Sequence, residues 1–199
     1  VVESENQNSV YRDRVKQQER IFLGELSDRE ILEGYILEHN HMSFLWGKLI
    51  RKSIFEKAFD NIPFTKCTLA EDVLVYFFIA LFSKKYLGIG EKFYTYTIDS
   101  GITSKTKITT LERWEQICSA ASVFCILGNF LSSEESDKEK ISEEIKTSIK
   151  QKANRYLKTT LEQLKNDTAP ELHDEAYEML CEYWGEDYLN FIASAGQIS

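Results

Sequence analysis

The sequence predicts a mainly α protein with a small β element, an α+β fold class. Three observations predict it. Apolar residues recur at spacings of three and four through most of residues 110–199, the period of an amphipathic helix. Two capping-box patterns, Ser27 with Glu30 and Thr68 with Glu71, mark helix starts in the first half. Residues 86–98 are rich in aromatic and β-branched side chains and are punctuated by Gly88 and Gly90, which reads as short strands.

Taken in order, residues 11–23 read as a helix or an extended lead-in. Leu26-Ser-Asp-Arg-Glu-Ile31 opens a helix to about Glu38: Ser27 caps, Glu30 completes the box and Leu26 staples to Ile31. His39-Asn-His-Met-Ser43 breaks it. Residues 44–59 carry a helical stripe of Leu45, Leu49, Ile54, Phe55 and Ala58, and Pro63 then enforces a loop. Residues 71–84 form a helix apolar on all sides, and so a buried one. After the strands at 86–89 and 93–98 comes a turn at 99–104. Residues 111–130 make one helix with a break near Gly128, and 132–137 are a polar linker. Residues 138–166 place Ile141, Ile145, Ile149, Ala153, Tyr156 and Leu164 on one face, and 171–193 form the last helix.

Composition narrows the function. The 199 residues carry a formal net charge of −8 and a pI near 5.1, which argues against a general nucleic-acid binder, since that needs a basic face. None of the four cysteines lies in a C-x-x-C pair, so zinc and thioredoxin-like chemistry lack their signal. Cys118, Cys125 and Cys181 read as small buried hydrophobes, and a reducing cytoplasmic compartment is the simplest setting. The apolar run at 73–82 is about half the length of a membrane span. The expectation is a cytoplasmic protein, with a peripheral position at the inner membrane face left open.

Four segments stand in a fixed order: Trp46-Gly-Lys-Leu-Ile-Arg-Lys-Ser-Ile-Phe55, Glu71-Asp-Val-Leu74, residues 85–89, and Phe93-Tyr-Thr-Tyr-Thr97 running to Gly101-Ile-Thr103. This set, spanning residues 42–104, resembles the C-terminal part of bacterial family 2 glycosyltransferases of GT-A fold. That family reads W-x-K-L with basic residues after it, then an E-D pair opening a hydrophobic helix, then a strand, Y-x-Y and S-[IV]-T. The resemblance implies a hexosyltransferase of polysaccharide biosynthesis at the cell envelope. It divides the chain into an acceptor-side part, residues 1–109, and an α-helical C-terminal extension, residues 110–199.

The resemblance also implies roles. Asp72 of the E-D pair would be the general base of an inverting transfer. An acceptor hydroxyl is a poor nucleophile until a carboxylate takes its proton, and the first turn of a helix favours a negative charge. Glu71 would bind acceptor, or else serve Thr68 as a cap. Trp46 would stack on a sugar face, or else pack in the core. Lys48 would neutralise a phosphate, or else be a solvated charge. Ser100 would contact the donor diphosphate. His39 and His41 read as surface or capping groups.

The chain departs from the family at Thr97, where relatives carry Arg, and at Gly101, where they carry Ser. No D-x-D metal motif and no strand–helix alternation before Tyr11 occur. The resemblance therefore implies that the nucleotide-binding half lies upstream and that the divalent cation, Mg or Mn, belongs to the full-length enzyme, with none bound by this chain alone. The expected partners are a nucleotide-sugar donor and a glycan or glycolipid acceptor, and the isolated chain is expected to be inactive. A different class of function remains beside this one. The helical segment after residue 110 carries no catalytic motif and reads equally as a non-catalytic interaction module that builds a homo-oligomer.

Overall fold

A computed structural model describes residues 20–91, 93–95, 107–133 and 141–195. Among these the fold is mainly helical, with eight α-helices and a two-stranded antiparallel sheet. The chain divides into two compact units: Val1–Pro63, Asp72–Thr97 and Asp137–Ile145 form the first; Phe64–Glu71, Ile98–Ser136 and Lys146–Ser199 form the second.

In unit 1, strand β1 (Gly24–Ser27) pairs with β2 (Lys85–Gly88), with Gly24 opposite Gly88 and Ser27 opposite Lys85. The sequence predicts β2 but reads residues 24–27 as the approach to a helix. Four residues without a β-branched side chain carry no strand signal, and the pairing is made by the partner. Gly88 is obligatory there, because a Cβ would lie 1.7 Å from the Phe22 carbonyl oxygen. Helix α1 (Arg29–Ile36) follows. Half of its expected capping box forms: the Glu30 carboxylate accepts from the Ser27 N–H at 2.9 Å, but Ser27 is a strand residue and makes no side-chain cap. Helix α2 (Lys52–Asp60) starts later than predicted. Residues 44–51 are irregular because Trp46 and Gly47 turn, with Gly47 at φ +72°, and Leu49 points outward instead of joining a stripe. Helix α3 (Glu71–Phe82) is buried from Val73 to Leu81, as its uninterrupted apolar run predicts.

Unit 2 holds α4 (Leu111–Cys118), α5 (Ala120–Ser132), most of α6 (Glu143–Asp167), a 3-10 turn (Pro170–Leu172), α7 (His173–Trp184) and α8 (Glu186–Ala195). Thr110 caps α4 by accepting from the Arg113 N–H at 3.3 Å. The predicted break near Gly128 is instead at Ser119. Its hydroxyl donates to the Gln116 carbonyl at 2.6 Å and accepts from the Thr68 N–H at 3.1 Å. The single helix predicted for 171–193 is divided at Gly185, whose φ of +82° suits glycine. The core gathers Ile108, Trp114, Leu157, Leu180 and Leu189, and Trp114 donates its indole N–H to the Ala176 carbonyl at 2.7 Å. All four cysteines are free thiols; Cys118 is buried, but Cys125 is exposed because its side of α5 faces outward. The stretch Leu111–Ser132 has the length and hydropathy of a membrane span, and half of it is buried in the fold.

Residues 93–95 of the predicted second strand are irregular, and the predicted lead-in at 11–19, the rest of that strand and the 99–104 turn, with Ser100, Thr97 and Gly101, lie outside the described residues.

Candidate functional site

Three of the five residues singled out in the sequence, Trp46, Lys48 and Asp72, belong to unit 1 and share one neighbourhood. Asp72 is the second residue of α3 and half-buried. Its Oδ2 accepts from the Ser43 hydroxyl at 3.0 Å and its Oδ1 accepts from the Val73 N–H at 2.8 Å. Each oxygen keeps a lone pair for a further donor. Ser43 itself is 5% exposed, so this support is rigid.

Lys48 is not a solvated charge. Its Nζ donates to the Phe44 carbonyl and lies 4.8 Å from the centre of the Tyr76 ring, a cation–π arrangement. Burial pulls its pKa down from 10.5 to about 8, and the Asp72 carboxylate opposes that fall. Tyr76 follows Asp72 by four residues, one turn along the same face of α3. Burial raises its phenol pKa.

His41 is a core residue and not a surface or capping group: it is 2% exposed. Tyr86, Tyr76 and Tyr35 surround it at ring-centre distances of 4.8, 5.7 and 6.2 Å. Asn40 orders the imidazole. The Asn40 amide nitrogen donates to Glu38 at 2.7 Å, which turns Oδ1 toward His41 Nδ1 at 2.6 Å. Nδ1 therefore carries the proton and Nε2 the lone pair, a tautomer assigned from this network. Nε2 is buried and has no hydrogen-bond partner. Burial, helped by the Lys48 charge, lowers the His41 pKa from 6.5 to about 4. Gly34 makes room for the arrangement, since a Cβ there would stand 2.8 Å from Asn40 Oδ1.

Trp46 stacks on Phe44 at 5.1 Å and on Tyr94 at 5.3 Å, with interplanar angles of 18° and 19°. Tyr94 is the open member of this row at 53% exposure. Ring faces of this kind suit the C–H face of a pyranose.

Glu71 and Ser100 do not enter this description. Glu71 is exposed and is assigned to unit 2. Its predicted box with Thr68 does not form, because α3 begins at Glu71 itself, immediately after Ala70 at φ +65°. Ser100 is outside the described residues. The sequence reading missed Ser43, His41 as a core group, Phe44 and Tyr76, and carried Tyr94 only as part of the Y-x-Y pattern, without a role. Of the missed residues only Tyr76 left a usable signal, its spacing of four from Asp72.

A divalent cation does not fit the described residues. No three His, Cys, Asp or Glu side chains converge among them, and Asp72 Oδ2 already accepts from Ser43. Set against protein-family models, curated proteins and solved structures, the chain matches none.

Proposed function

We propose that unit 1 forms the acceptor-side wall of an inverting glycosyltransferase, with Asp72 as general base. The observation that carries this is the grouping of a half-buried carboxylate, braced by Ser43, with a half-buried ammonium at Lys48 and a row of rings at Phe44, Trp46 and Tyr94. The rings take the face of the acceptor sugar. Asp72 removes the proton from the attacking hydroxyl as its oxygen bonds to the anomeric carbon, and the bond from that carbon to the nucleotide diphosphate breaks on the opposite side. Ser43 holds the carboxylate in one orientation, which is what a positioned base requires. Lys48, with a pKa near 8, is mostly protonated at neutral pH and draws an anionic group of either substrate toward the site. On this reading the donor nucleotide and the cation, Mg or Mn, are held by a half of the enzyme that these residues do not supply.

The test is steady-state sugar transfer by the full-length enzyme, with a panel of nucleotide sugars and glycan acceptors. Asp72→Asn keeps the shape of the side chain but takes up no proton. Turnover should fall by at least about 10²-fold, the low end for a positioned base, while the donor Kd stays within about twofold of wild type. Near wild-type turnover would remove Asp72 from the mechanism. A non-catalytic interaction module is the second reading, applied to unit 2. It is favoured by the helical make-up of that unit.

A further inference from the structure

Unit 2 keeps its two signs of charge apart. Residues 146–158, the first half of α6, carry five basic side chains and no acidic one. Residues 166–199, which include α7 and α8, carry eight acidic side chains and no Lys or Arg. On α6, Lys150, Arg155 and Lys158 are exposed; on α7, Asp174, Glu175, Glu178 and Glu182 are exposed. Among the described residues, none of these seven side chains pairs with an opposite charge. Ala176 and Leu180 turn into the core, so Asp174, Glu178 and Glu182, on successive turns of α7, share its outer face.

Neither the helices nor their solvation accounts for this segregation. Negative charge suits the first turn of a helix, which explains Asp174 and Glu175, but Glu178 and Glu182 lie beyond it. Lys150, Arg155 and Lys158 lie in the interior of a 25-residue helix, short of its last turn. Like charges stand three or four residues apart on each face: Arg155 with Lys158, Asp174 with Glu178, and Glu178 with Glu182. Such neighbours weaken the helix that carries them. A face that served solubility alone would intersperse the two signs along each helix.

We propose that these faces dock on each other between copies: the basic face of α6 in one copy takes the acidic face of α7 in a second. This rests on the interaction-module reading of unit 2 and names the partner as the chain itself. The two faces match in length, since Lys150 to Lys158 and Asp174 to Glu182 each span about 12 Å of helix. Tyr177, 41% exposed on α7, adds an aromatic contact of the kind enriched at interfaces. Opposed charges set register and partner more than strength, and exposed ion pairs are individually weak, so the association is reversible and salt-dependent. Two copies of net charge −8 repel at long range. At about 0.1 M salt the Debye length is about 10 Å, which damps that repulsion and leaves touching charges in force.

The experiment is sedimentation velocity on the 199-residue chain and on two charge-reversed variants, each with a wild-type thermal melt. At about 0.1 M salt the wild-type mass should rise with concentration toward two chains or more. It should return to one chain at about 1 M salt, where the Debye length is about 3 Å. Arg155→Glu with Lys158→Glu, and separately Glu178→Lys with Glu182→Lys, should each stay monomeric at the lower salt. Mixing the two variants should restore association, because the reversed α6 face of the first then meets the reversed α7 face of the second. A wild-type chain that is monomeric at every concentration overturns the proposal and removes the homo-oligomer from the interaction-module reading. An oligomer that persists at the higher salt, or in either variant, overturns the proposal alone and moves the interface to another surface. A mixture that stays monomeric also overturns it, and assigns the two faces to a foreign partner.

Discussion

His41 makes the acid stability of unit 1 predictable. The imidazole titrates at 6.5 in an unfolded chain and at about 4 in the fold, chiefly because it is buried and secondly because Lys48 is near. Between those pH values the unfolded chain binds a proton that the folded chain does not. Stability from this group is therefore complete above about pH 6.5 and is lost as the pH falls toward 4. The difference corresponds to on the order of 3 kcal/mol at most. Lys48 is the charged group that adds to this cost, and Tyr35, Tyr76 and Tyr86 supply only neutral rings around it. His41→Phe keeps a ring in the cage but cannot be protonated. It gives up the bond to Asn40, a loss of about 1 kcal/mol that does not depend on pH in this window. Urea unfolding from pH 7 to 4 should show wild-type stability falling more steeply than that of His41→Phe. Nitrogen-detected imidazole spectra should show the proton on Nδ1 through neutral pH. Parallel pH profiles for the two proteins, or an imidazole titrating near its ordinary value, would refute the account of a buried neutral histidine.

Three further outcomes follow from the packing and the site. Trp114→Phe removes the donor to the Ala176 carbonyl and leaves a small void in the core of unit 2, so chemical unfolding should record a loss of about 2–3 kcal/mol. Gly88→Ala drives a Cβ into the Phe22 carbonyl oxygen. Backbone must move, and amide exchange in β1 and β2 should accelerate with a stability loss of about 1–3 kcal/mol. Ser43→Ala frees one oxygen of Asp72; on the proposed function it should lower turnover less than Asp72→Asn and cost about 1 kcal/mol of stability, read by transfer assay and thermal melt side by side.

Much of the fold was legible because its signals are local. The apolar run from Val73 to Leu81 could only be a buried helix, and the period of Ile145, Ile149, Ala153 and Leu164 set the inner face of α6. The E-D pair also brought Asp72 forward without coordinates. Breaks were less legible. Ser119 ends a helix through its bonds to Gln116 and Thr68, one of them 51 residues away in sequence, whereas Gly128, the obvious breaker, sits in an unbroken helix.

What the sequence determined by itself is the class of the protein: helical, acidic, with one small β element and a carboxylate at the head of its most apolar helix. Periodicity, capping and composition act over a few residues and can be read where they stand. Only the tertiary structure decided that residues 24–27 become a strand, because β1 exists by pairing with β2 some 60 residues on. It alone decided that His41 is buried and neutral, that Lys48 rests on Tyr76, and that Ser43 braces Asp72 from 29 positions away. Burial and long-range hydrogen bonds set the charge of a side chain, and both depend on neighbours that the order of residues does not name.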